Sequence, residues 1–153
     1  SLAYYDGQSA RMELKGLTLA NGVNMSADGR TLYVAELLRR RIGVYSRNVE
    51  TGALTLLRRY PVNTGPDNIE VSSDGAIWIG GHSKIFEFVK HAEDVSAKAP
   101  SHVIRVNPAT GETEDMLIDT SGMLNGSSVG AATADTLVVG AVFDGHVLVC
   151  PLK

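Results

Sequence analysis

Hydrophobic positions along the chain fall in short runs where β-branched and aromatic residues alternate with polar ones, and Gly, Pro, Asn or Asp closes each run. Alternation with period two predicts half-buried strands, and the closing residues predict tight turns. Candidate strands are 3–5, 12–15, 23–25, 32–35, 42–45 and 54–59, then 69–71, 77–79, 85–88, 103–106 and 114–118, and finally 129–131, 137–140 and 146–150. Almost nothing keeps a helical period. The expected fold class is all-β, in the form of a sandwich, a barrel or a propeller.

An internal repeat decides among these. Asn21-Gly22-Val23-Asn24-Met25-Ser26-Ala27-Asp28-Gly29 leads into Leu32-Tyr33-Val34, and Asp67-Asn68-Ile69-Glu70-Val71-Ser72-Ser73-Asp74-Gly75 leads into Ile77-Trp78-Ile79. A weaker copy begins Ser127-Ser128-Val129 and reaches Leu137-Val138-Val139. Val23 and Ile69 stand 46 positions apart, near the period of about 40–50 residues expected for four-stranded propeller blades. The longer gap to Val129 matches a polar insertion at 90–101, read as a surface loop or short helix.

These repeats predict one partial β-propeller domain over residues 1–153, with about three blades, half of a six-bladed ring. Residues 1–18 supply the outer strands of one blade, 19–62 and 63–121 are whole blades, and 122–153 form an incomplete one. Propellers close with about 4–8 blades, so a second copy or further sequence is expected to complete the ring. A homodimer built on a two-fold axis gives six blades.

Composition narrows the function. A net charge of -3, with 14 Lys+Arg against 17 Asp+Glu, lacks the concentrated basic face of a non-specific nucleic-acid binder. The apolar run 136–143 is far shorter than the roughly 20 residues of a membrane helix, and no signal-peptide pattern is expected. With 44% hydrophobic residues the chain can bury a core unaided, and its one cysteine, Cys150, excludes an internal disulfide framework. The compartment stays open.

Candidate chemistry lies at the starts of the repeats. Asn21 and the Asp67-Asn68 pair occupy equivalent places before the first strand of successive blades, and first strands line a propeller's channel. Amide carbonyls and a carboxylate are the hard oxygens that calcium prefers; the competing reading makes the same residues ordinary turn formers. His82 ends the second strand of the Asp67 blade, as a base or substrate orienter or as a loop-bonding residue. His91, His102 and His146 are expected to face solvent, and none has zinc-ligand spacing. Gly126-Ser127-Ser128-Val129-Gly130 matches the G-x-S-x-G nucleophile pattern, but a strand rather than a helix should follow it. Arg39-Arg40-Arg41 and Arg58-Arg59 read as a solvated rim, and Trp78 as packing between blades.

The strongest stretches run from Leu19-Ala20-Asn21-Gly22-Val23 to Tyr33-Val34-Ala35-Glu36-Leu37, from Asp67-Asn68-Ile69 to Trp78-Ile79-Gly80-Gly81-His82, and from Gly126-Ser127-Ser128-Val129 to Gly140-Ala141-Val142-Phe143. Together they make the chain resemble the C-terminal half of the paraoxonase/arylesterase family of six-bladed propellers, and more distantly the gluconolactonase group. The resemblance implies a calcium-dependent hydrolase of lactones and aryl esters. It implies that Asn21, Asp67 and Asn68 ligate catalytic calcium, that His82 is a pocket histidine, and that Leu19, Leu37, Phe86, Ser128, Val142 and Phe143 line an apolar substrate pocket. Two further calcium ligands, a second calcium site and a proton-transferring histidine pair belong to the other half of the family pattern. A non-catalytic half propeller, binding calcium or another protein, is the alternative expectation.

Overall fold

The computed structural model describes residues 1–152. Its strands form four antiparallel sheets, each a meander in chain order. Strands β1 (Leu2–Tyr5) and β2 (Ala10–Leu14) pair alone; β3 (Ala20–Met25), β4 (Thr31–Glu36), β5 (Arg41–Arg47) and β6 (Leu54–Pro61) form the next sheet. The third sheet holds β7 (Gly65–Val71), β8 (Ile77–His82), β9 (Ser101–Val106) and β10 (Thr113–Asp119), and the fourth holds β11 (Ser127–Ala132), β12 (Thr136–Ala141) and β13 (Val147–Pro151). The first strands of successive sheets lie side by side, β3 against β7 and β7 against β11. This is the blade arrangement of a propeller, present here as part of a ring.

The repeated turn explains why each blade folds back where it does. Ser26 Oγ donates to Asp28 Oδ1 at 2.6 Å, the Arg30 N–H donates to the same oxygen, and Gly29 takes φ 68°. In the next blade Ser72 Oγ donates to Asp74 Oδ1 at 2.5 Å, the Ala76 N–H joins it, and Gly75 takes φ 83°. These bonds and the Arg105 guanidinium hold the Asp74 carboxyl down at about 2. Between the second and third sheets, Ile42, Ile77, Ile79 and Ile104 are fully buried, and each contributes about 1.5–3 kcal/mol of burial. Trp78, Leu124, Leu137 and Val139 form the core between the third and fourth sheets, as expected of Trp78.

Several expectations need correction. Residues 85–88 do not form a strand; they open helix α1 (Ile85–Glu93). β8 is already paired with β7 and β9, so the sheet offers no partner, whereas Ile85, Phe88 and Val89 share one helical face. His91 and His102 are not solvent-facing but 2% and 3% exposed. His91 is the buried side chain of α1, and His102 Nε2 bonds Asp115 Oδ1 at 2.8 Å. His146 is exposed, as expected. The arginine clusters are only partly a solvated rim, because Arg40 donates to the Ser83 carbonyl, Arg58 to the Ala109 carbonyl, and Arg41 to buried Glu36. Cys150 is half-buried on the edge strand β13. Among the described residues no helix is long and apolar enough to cross a membrane.

Candidate functional site

Each inner strand carries an irregularity at the same level. Pairing with its neighbour shifts between Ala20 and Val23 in β3, between Pro66 and Ile69 in β7, and between Ser127 and Val129 in β11. The residues skipped are Asn21 and Gly22, Asp67 and Asn68, and Ser128. Asn21, Asp67 and Asn68 therefore lie not ahead of the strands but inside them, as bulges. A bulge releases a residue from the ladder and re-aims its side chain.

Two glycines close the gaps between these bulges. A β-carbon on Gly22 would collide with the Asp67 carbonyl oxygen and crowd Asn68 and Ile69, so backbone lies directly on backbone. A β-carbon on Gly80 would collide in the same way with Ser128 and Val129. Asn24 adds a bond from its amide to the Ile69 carbonyl at 2.9 Å, and Asn68 Nδ2 donates to Ser128 Oγ at 2.7 Å. Bulge residues of three blades are thus joined edge to edge.

Asp67 and His82 form the titratable pair. Asp67 is 6% exposed and His82 is 2% exposed, and Asp67 Oδ2 meets His82 Nε2 at 3.2 Å. A carboxylate can only accept, so Nε2 donates to it; in the neutral ring that leaves the lone pair on Nδ1. Nδ1 is buried and has no hydrogen-bond partner among the described residues. Phe88 stacks on the imidazole with centroids 3.7 Å apart, and Phe143 packs 5.6 Å from Phe88. Gly126 makes room for the Phe88 ring.

The other expected pocket residues divide. Leu37 is buried beside Gly65, and Ser128 is held by Asn68. Val142 and Phe143 are half-exposed on the connection from β12 to β13. Leu19 is exposed and takes φ 51°, a strained value for leucine, while its carbonyl accepts the Leu37 N–H at 3.1 Å. Asn21 is exposed, and no hydrogen bond engages its side chain among the described residues. Phe86 is 87% exposed and does not join the cluster; Phe88, two residues on, faces His82. The helix explains the exchange, since positions two apart on a helix are rotated by about 200° and so point to nearly opposite sides.

Sequence reasoning missed the support beneath this arrangement. Glu36 is fully buried at the end of β4, accepts Arg41 Nε at 2.6 Å, and accepts the Thr18 N–H at 3.1 Å. Burial pushes its carboxyl up, but the Arg41 guanidinium and the Thr18 N–H outweigh this and hold it below its usual value. The bond to Thr18 fixes the approach to Leu19 and Asn21. Ser128 does not sit on a nucleophile elbow, because β11 continues as a strand through Ala132.

The oxygens at the bulges fit calcium in kind, being amide carbonyls of Asn21 and Asn68, the Asp67 carboxylate and the Ser128 hydroxyl. They fall short of the about 6–8 oxygens that calcium takes. Among the described residues, no three His, Cys, Asp or Glu side chains lie close enough together to hold a metal ion. A cavity of about 470 Å³ lies elsewhere, between Trp78, Arg105, Glu114 and Leu152.

The family model described as Arylesterase matches residues 1–152. The chain belongs to the arylesterase family. Human serum paraoxonase/arylesterase 1 is 34% identical over 149 residues, covering 93% of this chain and 40% of the relative. The rat protein of the same name is 30% identical and covers 99% of this chain and 43% of its own length. This arylesterase-family chain thus spans less than half the length of the curated relatives it matches. Among solved structures, a putative 6-phosphogluconolactonase from Bacteroides uniformis superposes with a TM-score of 0.61 at 15% identity, covering 96% of this chain and 42% of that one. That likeness bears on the fold alone and agrees with a partial propeller.

Proposed function

We propose that this chain supplies one side of a calcium-dependent active site that hydrolyses lactones or aryl esters. The observation that carries the reading is the row of bulges, which turns Asn21, Asp67, Asn68 and Ser128 out of three adjoining inner strands at one level. Family membership supplies the reaction class, and the donor set supplies the choice of ion. Asn21, Asp67 and Asn68 would hold the calcium ion, through Oδ1 in the case of Asp67, since Oδ2 is taken by His82. Bound calcium would polarise the ester carbonyl and stabilise the oxyanion.

This chain's own residues do the rest. Asp67 Oδ2 fixes the His82 tautomer, leaving Nδ1 to accept the proton of an incoming water. Phe88, Phe143, Leu37 and Val142 surround the site with apolar surface suited to an acyl or aryl group. The ring is completed by further blades, from a second copy or from further sequence, and these supply the missing oxygens; residues 1–152 then act as one partial domain. Support comes from the unpaired edge of β13 and from exposed Val138, Val147 and Val149 on the face of the last blade.

Calcium titration followed by thermal melting, together with hydrolysis of phenyl acetate and γ-butyrolactone, tests this reading. A melting temperature that rises with calcium is expected, along with turnover that chelator and Asp67→Ala both abolish. Absence of any calcium-dependent shift would remove the proposal. A second reading, a non-catalytic half propeller that binds calcium or a protein, draws on the 2% exposure of His82 beneath Phe88. A calcium shift without turnover by the assembled ring would favour it.

A further inference from the structure

Helix α1 has little to hold it in place. It spans nine residues, its N-cap Lys84 makes no side-chain capping bond, and isolated helices of this length are marginal in water. Its fully buried side chain is a histidine, His91. Nδ1 of His91 meets the Ala97 carbonyl at 2.5 Å, on the segment that follows the helix. A carbonyl only accepts, so Nδ1 is protonated and donates. Nε2 is buried without a hydrogen-bond partner and points toward Asp144 Oδ1, 3.9 Å away on the connection from β12 to β13. The charged groups around the ring are Asp144 on that connection, and Asp94 and Lys90 at the end of the helix itself. The ring also tilts against Phe143 at 5.7 Å. One turn earlier on the same face, Phe88 covers His82.

We propose that His91 is the positioning residue of α1: its Nδ1–H ties the helix to the Ala97 carbonyl so that Phe88 stays stacked over His82. The helix then acts as a fitted cover for the imidazole, and the polar anchor of the cover stands apart from the bulges. The proposal needs the geometry of the cluster and not the hydrolytic reading of the site, so its test uses neither calcium nor turnover.

The four histidines provide a self-controlled experiment. Carbethoxylation by diethyl pyrocarbonate, followed residue by residue with mass spectrometry, reports how often each imidazole opens to solvent. In the unaltered chain His146 should react fast, and His82, His91 and His102 slowly. His91→Leu keeps apolar volume in the site but removes the donor. It is expected to raise the His82 rate by about tenfold while His102 and His146 keep theirs. His91→Gln, which restores an amide donor, should return the rate most of the way. An unchanged His82 rate in His91→Leu would overturn the proposal, because a space-filling role survives that substitution. Should His91→Leu also open His102, the fold itself has loosened, and His91→Gln becomes the deciding variant. A His82 rate close to that of the unaltered chain with His102 silent then supports the tie, and a His82 rate as high as in His91→Leu refutes it.

Discussion

Gly22 and Asp67 touch through their backbones: the α-carbon of Gly22 lies where any side chain would run into the Asp67 carbonyl oxygen. The contact sets the spacing of two bulges, so Gly22→Ala must push β3 and β7 apart. A loss of about 1–3 kcal/mol in denaturant unfolding is expected, together with a weaker calcium response. Val23→Thr, at an exposed position of the same strand, should change stability by no more than about 0.5 kcal/mol. Equal effects from the two substitutions would show that the close approach does not matter.

Removing the Asp67 carboxylate strands the His82 Nε2–H in a buried place. Asp67→Ala should cost about 1–3 kcal/mol in the absence of calcium. His82→Phe can stack on Phe88 but leaves the buried Asp67 carboxylate unpartnered, so it should cost more than Asp67→Ala. Urea melts of both variants check the order, and the reverse order would contradict the pairing.

Acid should unfold this protein through a small set of carboxylates. Glu36 and Asp119 are buried, and both are held below their ordinary values of 4.5 and 3.8. For Asp119, burial pushes upward but bonds from Ser121 and the Leu124 N–H outweigh it. A depressed folded value means the unfolded chain binds protons first, so the stabilisation is full above those ordinary values and is lost as pH falls through the lowered ones. Glu36→Gln is expected to cost about 1.5–3 kcal/mol at neutral pH and to flatten the loss of stability below about pH 4.5. A melting temperature that falls as steeply with acid in Glu36→Gln as in the parent would count against this assignment.

Phe86 and Phe88 separate the strand expected at 85–88 from the helix found there. Phe88→Ala should destabilise by about 1–3 kcal/mol, and Phe86→Ala by no more than about 0.5 kcal/mol. The same thermal melts decide, and a larger effect at Phe86 would reverse the orientation of α1.

Much of the architecture was legible because it rests on local chemistry. Ser-x-Asp-Gly turns announce themselves in one dimension: the hydroxyl, the carboxylate and the left-handed glycine act within four residues. The blade period follows from the same short-range pattern, whereas β4 and β8 are buried along almost their whole length and do not show the period-two alternation expected of half-buried strands. Bulges were not legible, since an unpaired Asn21 or Asp67 looks identical to a turn residue until the neighbouring strand fixes the register. Residues 85–88 read as a strand because polar Glu87 sits between Phe86 and Phe88, and only the already paired sides of β8 decide against it. His91 and His102 looked like surface residues because the carbonyl and carboxylate that accept from them lie on other segments.

The close approach at Gly22 and Gly80 fixes the spacing of the inner strands. Where side chains separate two blades, rotamers can absorb a neighbour's change; where main chains abut, covalent dimensions set the width and nothing is left to adjust. Sequence drift in this protein is therefore cheap at the exposed positions of outer strands such as β6 and β10, and a methyl in place of hydrogen at either glycine moves whole inner strands.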